Sequence, residues 1–361
     1  MEIKKVSFFD IFDSGYTSFG TGGVTMAVLY VKEQGAYIGK SGERITVVKN
    51  ASTLLDVPVF QIENIAVIGN VQVTTPALHL LMERGIDVSY LTYSGKFLGS
   101  TAAESSKNIF LRFEQYRVYL NDSERLGIAK AIISNKIENQ VAIINEHKRK
   151  DDGYDWNSDI EGLIRNKSML DSKTTSNEIL GVEGICSNIY FGAFSHMLDC
   201  DFEFNGRNRR PPRDPINVII SLAYTLLTKE VSNALDAESF EPYLGFLHGI
   251  RYGRKSLALD IVEEFRQPVV DRLVILLFNK RMINKYDFEF PEEGTVVLTE
   301  DGFKKFCGEY ERWMNGKNTY SGDKNFRGRI KEQVAKLKLA VKEHSMYTPY
   351  SWRDRDVSYQ L

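Results

Sequence analysis

Several features are scarce in this chain of 361 residues, and each scarcity excludes a class of protein. Its three cysteines, Cys186, Cys200 and Cys307, are an odd number without CxxC spacing, which excludes a disulfide framework and a cysteine zinc site. Glycine and proline, at 27 and 9 residues, are too few for a fibrous or disordered chain. The composition therefore predicts a globular protein of a reducing, cytoplasmic compartment.

Long apolar runs and bulk positive charge are also missing. The longest apolar run, 273–278, is far shorter than the ~18 residues that a membrane helix needs. Asp10 and Asp13 interrupt the apolar stretch near the start, unlike a secretory signal. Since 46 Lys and Arg face 48 Asp and Glu, any nucleic-acid binding would depend on local basic patches. We expect no export and no membrane association.

The hydrophobic periodicity changes near Ser105, which predicts an α+β protein of two domains. The first domain is predicted to be small and β-sandwich-like with one short helix, and the second to be larger and all-α. The predicted segments are an N-terminal arm of uncertain role (1–23), the β domain (24–105), the α-helical catalytic domain (106–345) and a C-terminal tail (346–361).

Individual elements follow from the same patterns. Alternating β-branched residues predict strands, Gly39-Lys40-Ser41 is interpreted as a hairpin turn because β-type residues follow it, and Thr75-Pro76 opens a short helix. A polar stretch at 151–176 is expected to hold a short helix and a linker. The predicted strands are 24–31, 36–38, 44–48, 65–68 and 86–91, and the predicted long helices are 107–120, 124–149, 177–199, 216–235, 257–280, 300–315 and 324–344.

Glu183 is a carboxylate in an apolar helix stripe. At 3.6 residues per turn it shares one face with Ile179, Cys186, Tyr190 and Phe194. A buried carboxylate needs a cation, a metal ion or a proton. The sequence leaves open a buried ion pair with an arginine and a metal-ligand role.

A second acidic group follows Gly245-Phe246-Leu247-His248-Gly249 and a basic turn that contains Arg254. In the helix predicted from Ser256, the residues Asp260, Glu263 and Glu264 share one side, with Glu264 at the edge of the apolar arc, where it could pair with an arginine. A solvated acidic face is the common fate of such a run. With His248 nearby, the same residues form the nitrogen and oxygen set that suits Mn²⁺ or Mg²⁺.

The segment 201–215 is a proline-stiffened basic loop. Its guanidinium groups match the geometry of phosphate oxygens, although the loop could also be merely exposed. The arginines in question are Arg207, Arg209, Arg210 and Arg213.

With these residues laid out, the chain resembles the CRISPR adaptation integrase family from about Val24 to His344. The resemblance rests on an ordered set of short motifs rather than on any one of them. They are Leu29-Tyr30-Val31, Glu33-Gln34-Gly35, Gly39, Gly69-Asn70-Val71, Arg84-Gly85-Ile86-Asp87, Glu183-Gly184, Arg209-Arg210-Pro211-Pro212, Asn217, Tyr224, Gly245-Phe246-Leu247-His248 and Ser256-Leu257-Ala258-Leu259-Asp260. Residues 1–23 do not match, because the family usually starts near Met26.

This resemblance implies a metal-dependent DNA endonuclease and integrase that inserts short foreign duplexes into a repeat array by transesterification. It places the metal ligands and catalytic residues on Glu183, His248 and Glu263, with Asp260 as an accessory acidic ligand and Mg²⁺ or Mn²⁺ as the ion. Asn217 and Tyr224 are expected to line the DNA path. Arg254 and the four arginines of the 201–215 loop are the other predicted DNA contacts. The implied partners are double-stranded DNA, a second copy in a homodimer, and a small ferredoxin-like adaptation protein that bridges two such dimers.

Two other functions stay open at this point. A transposon-encoded relative or a branched-DNA repair nuclease would use the same metal site, and only a neighbouring repeat array would separate them from an adaptation integrase. A non-catalytic DNA-bridging scaffold would require the metal-ligand set to be incidental.

Overall fold

The computed structural model describes residues 27–93, 97–101, 108–148, 153–208, 212–292, 295–316 and 325–352. Among them, residues up to Thr101 and the segment Phe303–Glu311 form one compact unit. The remaining described residues, from Asn108 onward, form a second and larger unit. The predicted arm at 1–23, Arg209, Arg210 and the last residues of the predicted tail lie outside the described residues.

The first unit contains two four-stranded sheets. One sheet has the order β1-β5-β7-β8, with parallel pairing from β1 to β7 and an antiparallel edge at β8. The other has the order β4-β3-β2-β6. The elements are β1 (Ala27–Val31), β2 (Tyr37–Ser41), β3 (Arg44–Lys49), β4 (Ser52–Pro58), β5 (Ile62–Ile68), β6 (Gln72–Val73), α1 (Thr75–Glu83), β7 (Asp87–Leu91) and β8 (Phe97–Thr101).

Both sheets and helix α1 contribute to one hydrophobic core. In the first sheet Ile65 pairs with Leu29 and Val88, and all three are buried. From the second sheet Ile38 and Val47 enter the same core, directly paired across β2 and β3. The predicted β domain with a short helix is therefore confirmed, and Gly39-Lys40-Ser41 lies at the end of strand β2, next to a hairpin turn rather than before a helix. Strands β4, β6 and β8 were not predicted.

The second unit is built mainly from helices. Long helix α3 packs against α5 and α7, the two helices that carry the predicted acidic ligands. The helices are α2 (Ile109–Leu120), α3 (Asp122–His147), α4 (Trp156–Ser168), α5 (Ser176–Met197), α6 (Pro215–Ala237), α7 (Ser256–Phe265), α8 (Arg272–Asn279), the ends of α9 (Glu300–Asn315), whose segment Phe303–Glu311 belongs to the first unit, and α10 (Phe326–Glu343).

Two features of this unit differ from the prediction. The single helix expected over 257–280 is α7 and α8 joined by a π-helical turn at Arg266–Asp271, which contains Pro268. Proline has no N–H to donate to the preceding turn, so a regular α-helix is interrupted there. An antiparallel hairpin, β9 (Phe288–Glu292) and β10 (Thr295–Leu298), also lies in the unit that was predicted to be all-α.

The predicted tail is packed against the second unit as far as the structure describes it. Tyr347 and Trp352 are both buried. Among the described residues, no helix is both long and apolar enough to cross a membrane.

Two of the short motifs, Glu33-Gln34-Gly35 and Gly69-Asn70-Val71, meet at the end of β5. The Gln34 amide donates to the carbonyl of Ile68 at 3.0 Å and accepts the Asn70 N–H at 2.7 Å. Gly69 has φ +75°, and a Cβ atom there would lie 2.6 Å from Gln34 Oε1. This turn therefore requires glycine for both conformation and space.

We expect Gly69→Ala to destabilise the first unit by roughly 1–3 kcal/mol, because alanine is strained at this φ and would displace the Gln34 amide. The measurement is thermal unfolding. Gly99→Ala is the matched control, since a Cβ atom at Gly99 in β8 meets no other atom within 4 Å. Equal melting temperatures for the two variants would contradict this role of Gly69.

Candidate metal and DNA site

Three helices bring a lysine and two glutamates together in the second unit. The Lys136 ammonium of α3 forms ion pairs with Glu183 of α5 and with Glu263 of α7, the latter at 2.7 Å to Oε2. Ser187, one turn after Glu183, donates to Glu183 Oε1 at 2.7 Å. The predicted ion pair of Glu183 therefore exists, but its partner is a lysine and not an arginine.

This cluster is largely closed to solvent. The side chains of Lys136 and Glu263 are 2% and 4% exposed, whereas that of Glu183 is 21% exposed. Arg266, in the π-helical turn, also reaches Glu263, at 3.1 Å to Oε1. Glu183 therefore forms the open side of the cluster.

The electrostatics favour ionised carboxylates. Burial raises the pKa of Glu263, but the charges of Arg266 and Lys136 outweigh it and lower that pKa to about 2. The same opposition between burial and the Lys136 charge leaves the pKa of Glu183 below its ordinary value. Both side chains are thus available as anionic oxygen ligands at neutral pH.

Asp260 lies behind His248 and holds its loop. Its Oδ2 accepts the N–H groups of Phe246 and Leu247 at 2.6 and 3.0 Å. Its Oδ1 accepts the His248 N–H at 2.9 Å and pairs with His248 Nδ1 at 2.7 Å. A Cβ atom at Gly245 would lie 2.7 Å from Oδ2, so glycine is required where the loop passes this carboxylate.

These contacts fix the orientation of the imidazole. When Nδ1 donates to Asp260, the other ring nitrogen of His248, Nε2, carries the lone pair that can bind an ion. His248 also lies near enough to Glu263 for a protonated imidazole to lower the pKa of that carboxyl.

Glu264 points away from this group. It is fully buried, and its Oε1 accepts the Tyr347 hydroxyl at 2.6 Å while its Oε2 accepts the Tyr350 N–H at 2.8 Å. The sequence left open an arginine partner for Glu264, but the segment that was predicted to be a tail supplies its hydrogen-bond donors on that side of α7. The solvated acidic face is also excluded, since Asp260, Glu263 and Glu264 are all buried.

Asn217 and Tyr224 do not line a surface, which corrects the expected DNA path. Asn217 is fully buried in α6, where its amide donates to Gly206 O and Asp214 and accepts from Arg207. The amide thus holds the start of the helix to the arginine loop.

Tyr224 is also buried, and its hydroxyl donates to Asp271 Oδ1 at 2.7 Å. Two guanidinium groups lie over its ring, that of Arg207 at 5.4 Å and that of Arg266 at 5.0 Å from the ring centroid. Tyr224 therefore connects the arginine loop to the π-helical turn beside Glu263.

The predicted DNA-contacting arginines fall into two groups where they are described. Arg213 is exposed. Arg207 is partly buried, and Arg254 braces the loop after His248 by donating to the carbonyl of Gly249 and to Ser256 Oγ. Only Arg213 among these three has a freely accessible position.

Sequence reasoning missed Lys136, Arg266 and Asp271. A signal for Lys136 exists, since it shares a helix face with Ile132 and Ile133 and lies among buried residues of α3. A cation in an apolar stripe needs an anion, just as Glu183 needs a cation. The apolar face of α3 around Lys136 and that of α5 around Glu183, compared with each other, would have suggested the Lys136–Glu183 ion pair.

The donor set fits a divalent ion chemically. Two carboxylates and an imidazole match the ligands that Mn²⁺ and Mg²⁺ accept, and the carboxylates already share a positive charge, the Lys136 ammonium. In the described part of the chain, no group of three or more His, Cys, Asp or Glu side chains is close enough to hold a metal ion. The described side chains of Glu183, Glu263 and His248 are therefore not assembled as a metal-binding group in this structure.

Glu264 makes stability depend on pH. Burial raises its pKa from 4.5 to about 8, so the folded chain holds a proton that the unfolded chain releases. The stability contributed by this proton is complete below about pH 4.5 and is lost as the pH rises through about 8.

We expect Glu264→Gln, which is neutral at every pH, to lose less stability than the wild type as the pH rises from about 4.5 to about 8. Thermal unfolding of both proteins across that range measures the difference. Parallel pH curves would show that Glu264 does not hold a proton in the folded chain.

Comparisons with known proteins agree with this architecture. A family model described as CRISPR associated protein Cas1 matches residues 29–312. The CRISPR-associated endonuclease Cas1 3 of Thermus thermophilus is 36% identical over 296 residues, which are 81% of this chain and 86% of that relative.

Solved structures show the same fold. A CAS1 protein from Thermotoga maritima superposes with a TM-score of 0.77 at 26% identity, covering 88% of this chain and 97% of that one. A chain of a Cas6-RT-Cas1–Cas2 complex superposes with a TM-score of 0.79 at 25% identity, covering 94% of this chain but only 37% of that longer chain. On the matched length, the shared fold and the identity to a curated relative, this chain belongs to the Cas1 family of CRISPR-associated endonucleases.

Proposed function

We propose that this protein is a metal-dependent integrase of CRISPR adaptation that joins a short DNA duplex into a repeat array by transesterification. The observation that carries the proposal is that Lys136 holds the ionised Glu183 and Glu263 together, while Asp260, one turn before Glu263 on α7, orients the imidazole of His248. Membership of a family of endonucleases supports phosphodiester chemistry at this site.

Each residue has a distinct part in this reaction. Glu183, Glu263 and His248 would hold Mg²⁺ or Mn²⁺, which would activate the attacking 3′-hydroxyl and neutralise charge on the phosphate. Asp260 already accepts four hydrogen bonds, so we assign it to positioning His248 rather than to direct ligation. Arg266 keeps Glu263 ionised and fixes its orientation.

The same arrangement suggests how DNA is held. The exposed Arg213, together with Arg209 and Arg210, would contact phosphates of double-stranded DNA. Arg207 would support that loop from within through Asn217 and the Tyr224 ring. Binding by such contacts depends on the DNA backbone and not on its sequence.

We further propose that the protein acts as a homodimer together with a small ferredoxin-like adaptation protein. Support for a protein partner comes from the Cas6-RT-Cas1–Cas2 complex, one chain of which shares this fold. Size-exclusion chromatography with light scattering, with and without the partner, tests both parts of this assembly.

The catalytic assignment is tested by strand transfer of a labelled duplex into a supercoiled repeat plasmid with Mn²⁺. We expect Glu263→Gln and His248→Ala to abolish transfer, and Asp260→Asn, which perturbs the support of a ligand, to reduce it by about 10–100-fold. Glu264→Gln is the matched control on the same helix and should keep most of the activity. Each variant is first compared with the wild type by thermal unfolding.

An inactive Glu264→Gln beside an active Glu263→Gln would contradict the assignment of the metal to that side of α7. Branched-DNA cleavage without transfer into the plasmid would favour the repair-nuclease alternative. DNA binding by a wild type that neither cleaves nor joins DNA would favour a non-catalytic scaffold.

The arginine loop is tested separately by the salt dependence of DNA affinity. We expect replacement of Arg209, Arg210 and Arg213 by alanine to reduce the slope of log affinity against log salt by ~0.9 for each lost phosphate contact. The melting temperature should stay unchanged. Arg207→Ala is the contrasting variant, and we expect it to lower the melting temperature because it removes one of the two donors to the buried Asn217 Oδ1, the other being the Asn208 N–H. An unchanged slope in the triple variant would mean that the loop does not contact DNA.

A further inference from the structure

Lys136 occupies a position that the proposed metal ion would need. Its ammonium forms ion pairs with both Glu183 and Glu263, whereas Arg266 forms an ion pair with Glu263. The Lys136 ammonium also lies 3.4 Å from Ser187 Oγ, the hydroxyl that donates to Glu183. Lys136 is therefore the cation common to the two predicted carboxylate ligands.

The charges of this cluster balance without a metal ion. Two glutamates face Lys136 and Arg266, and the Lys136 side chain is almost fully buried. Two carboxylates held close together repel each other unless a cation lies between them. Lys136 supplies that cation from a third helix, α3, which packs against both α5 and α7.

A divalent ion and an ammonium cannot occupy the same place between two carboxylates, and their charges repel. No metal-binding group is assembled among the described side chains while Lys136 holds Glu183 and Glu263. Glu183 lies on the more exposed side of the cluster, so its contact with Lys136 is the one that can open with the least loss of packing.

We propose that Lys136 is a resident cation of the active site, which holds Glu183 and Glu263 together in the metal-free protein and is displaced from Glu183 when the divalent ion binds. This inference rests on the metal site of the proposed function. In this role Lys136 is a positioning residue that sets the metal affinity. It keeps the two carboxylates in place without metal, and it weakens the binding of the divalent ion because that ion must displace it.

The experiment measures Mn²⁺ binding by titration calorimetry and thermal unfolding in EDTA, with no DNA present. Lys136→Met keeps the length of the side chain but removes its charge. We expect it to bind Mn²⁺ at least tenfold more tightly than the wild type and to melt at a lower temperature in EDTA. If Lys136→Met does not fold, Lys136→Gln, which keeps an N–H donor, takes its place.

Lys167→Met is the matched control. Like Lys136, Lys167 of α4 forms an ion pair with a glutamate of a neighbouring helix, Glu138 of α3. Both of these side chains, however, are about one-third exposed. We expect this variant to match the wild type in Mn²⁺ affinity and to melt at nearly the same temperature in EDTA, because exposed ion pairs contribute little to stability.

The outcomes separate this inference from the proposed function. If the wild type binds Mn²⁺ and Lys136→Met binds it equally or more weakly, the role of Lys136 is wrong and the metal site stands. If neither the wild type nor the Lys136 variant binds Mn²⁺, while both are folded, the metal site itself is wrong and this inference falls with it.

Discussion

The burial of three carboxylates along one short helix, α7, is the constraint on which the rest of the active-site region depends. A buried carboxylate is tolerated only with a partner, and each of the three has a different one. Asp260 accepts hydrogen bonds from the backbone and the imidazole of the His248 loop. Glu263 forms ion pairs with Lys136 and Arg266. Glu264 keeps a proton and accepts the Tyr347 hydroxyl. The helix is thereby connected to segments from distant parts of the chain.

The π-helical turn after α7 extends this arrangement toward the proposed DNA side. It places Arg266 against Glu263 and also against the ring of Tyr224, whose hydroxyl reaches Asp271 at the end of the same turn. Arg207 lies against that ring as well. A continuous set of packed polar side chains thus connects the arginine loop with the proposed metal ligands. Such π-helical turns are frequent at functional sites because they reorient side chains within a helix.

Much of the fold followed from local patterns, and the exceptions have physical causes. Strand β8 and the hairpin β9–β10 are short, so their periodicity is too brief to separate from loops. One long helix was predicted over 257–280 because the apolar pattern continues through Pro268. The interruption that Pro268 causes there was not taken into account. The buried positions of Asn217 and Tyr224 depend on how α6 meets the arginine loop, and helical spacing does not report that.

The sequence by itself determined the α+β fold class, the apolar helix face that carries Glu183, and the shared side of Asp260 and Glu263. These depend on the period of the helix and on neighbouring residues alone. Only the tertiary structure decided that Lys136 pairs with both glutamates, that Asp260 supports His248, and that Tyr347 occupies the side of Glu264. The reason is that these contacts join residues far apart in the chain, so the packing of α3, α5, α7 and the C-terminal segment selects each partner.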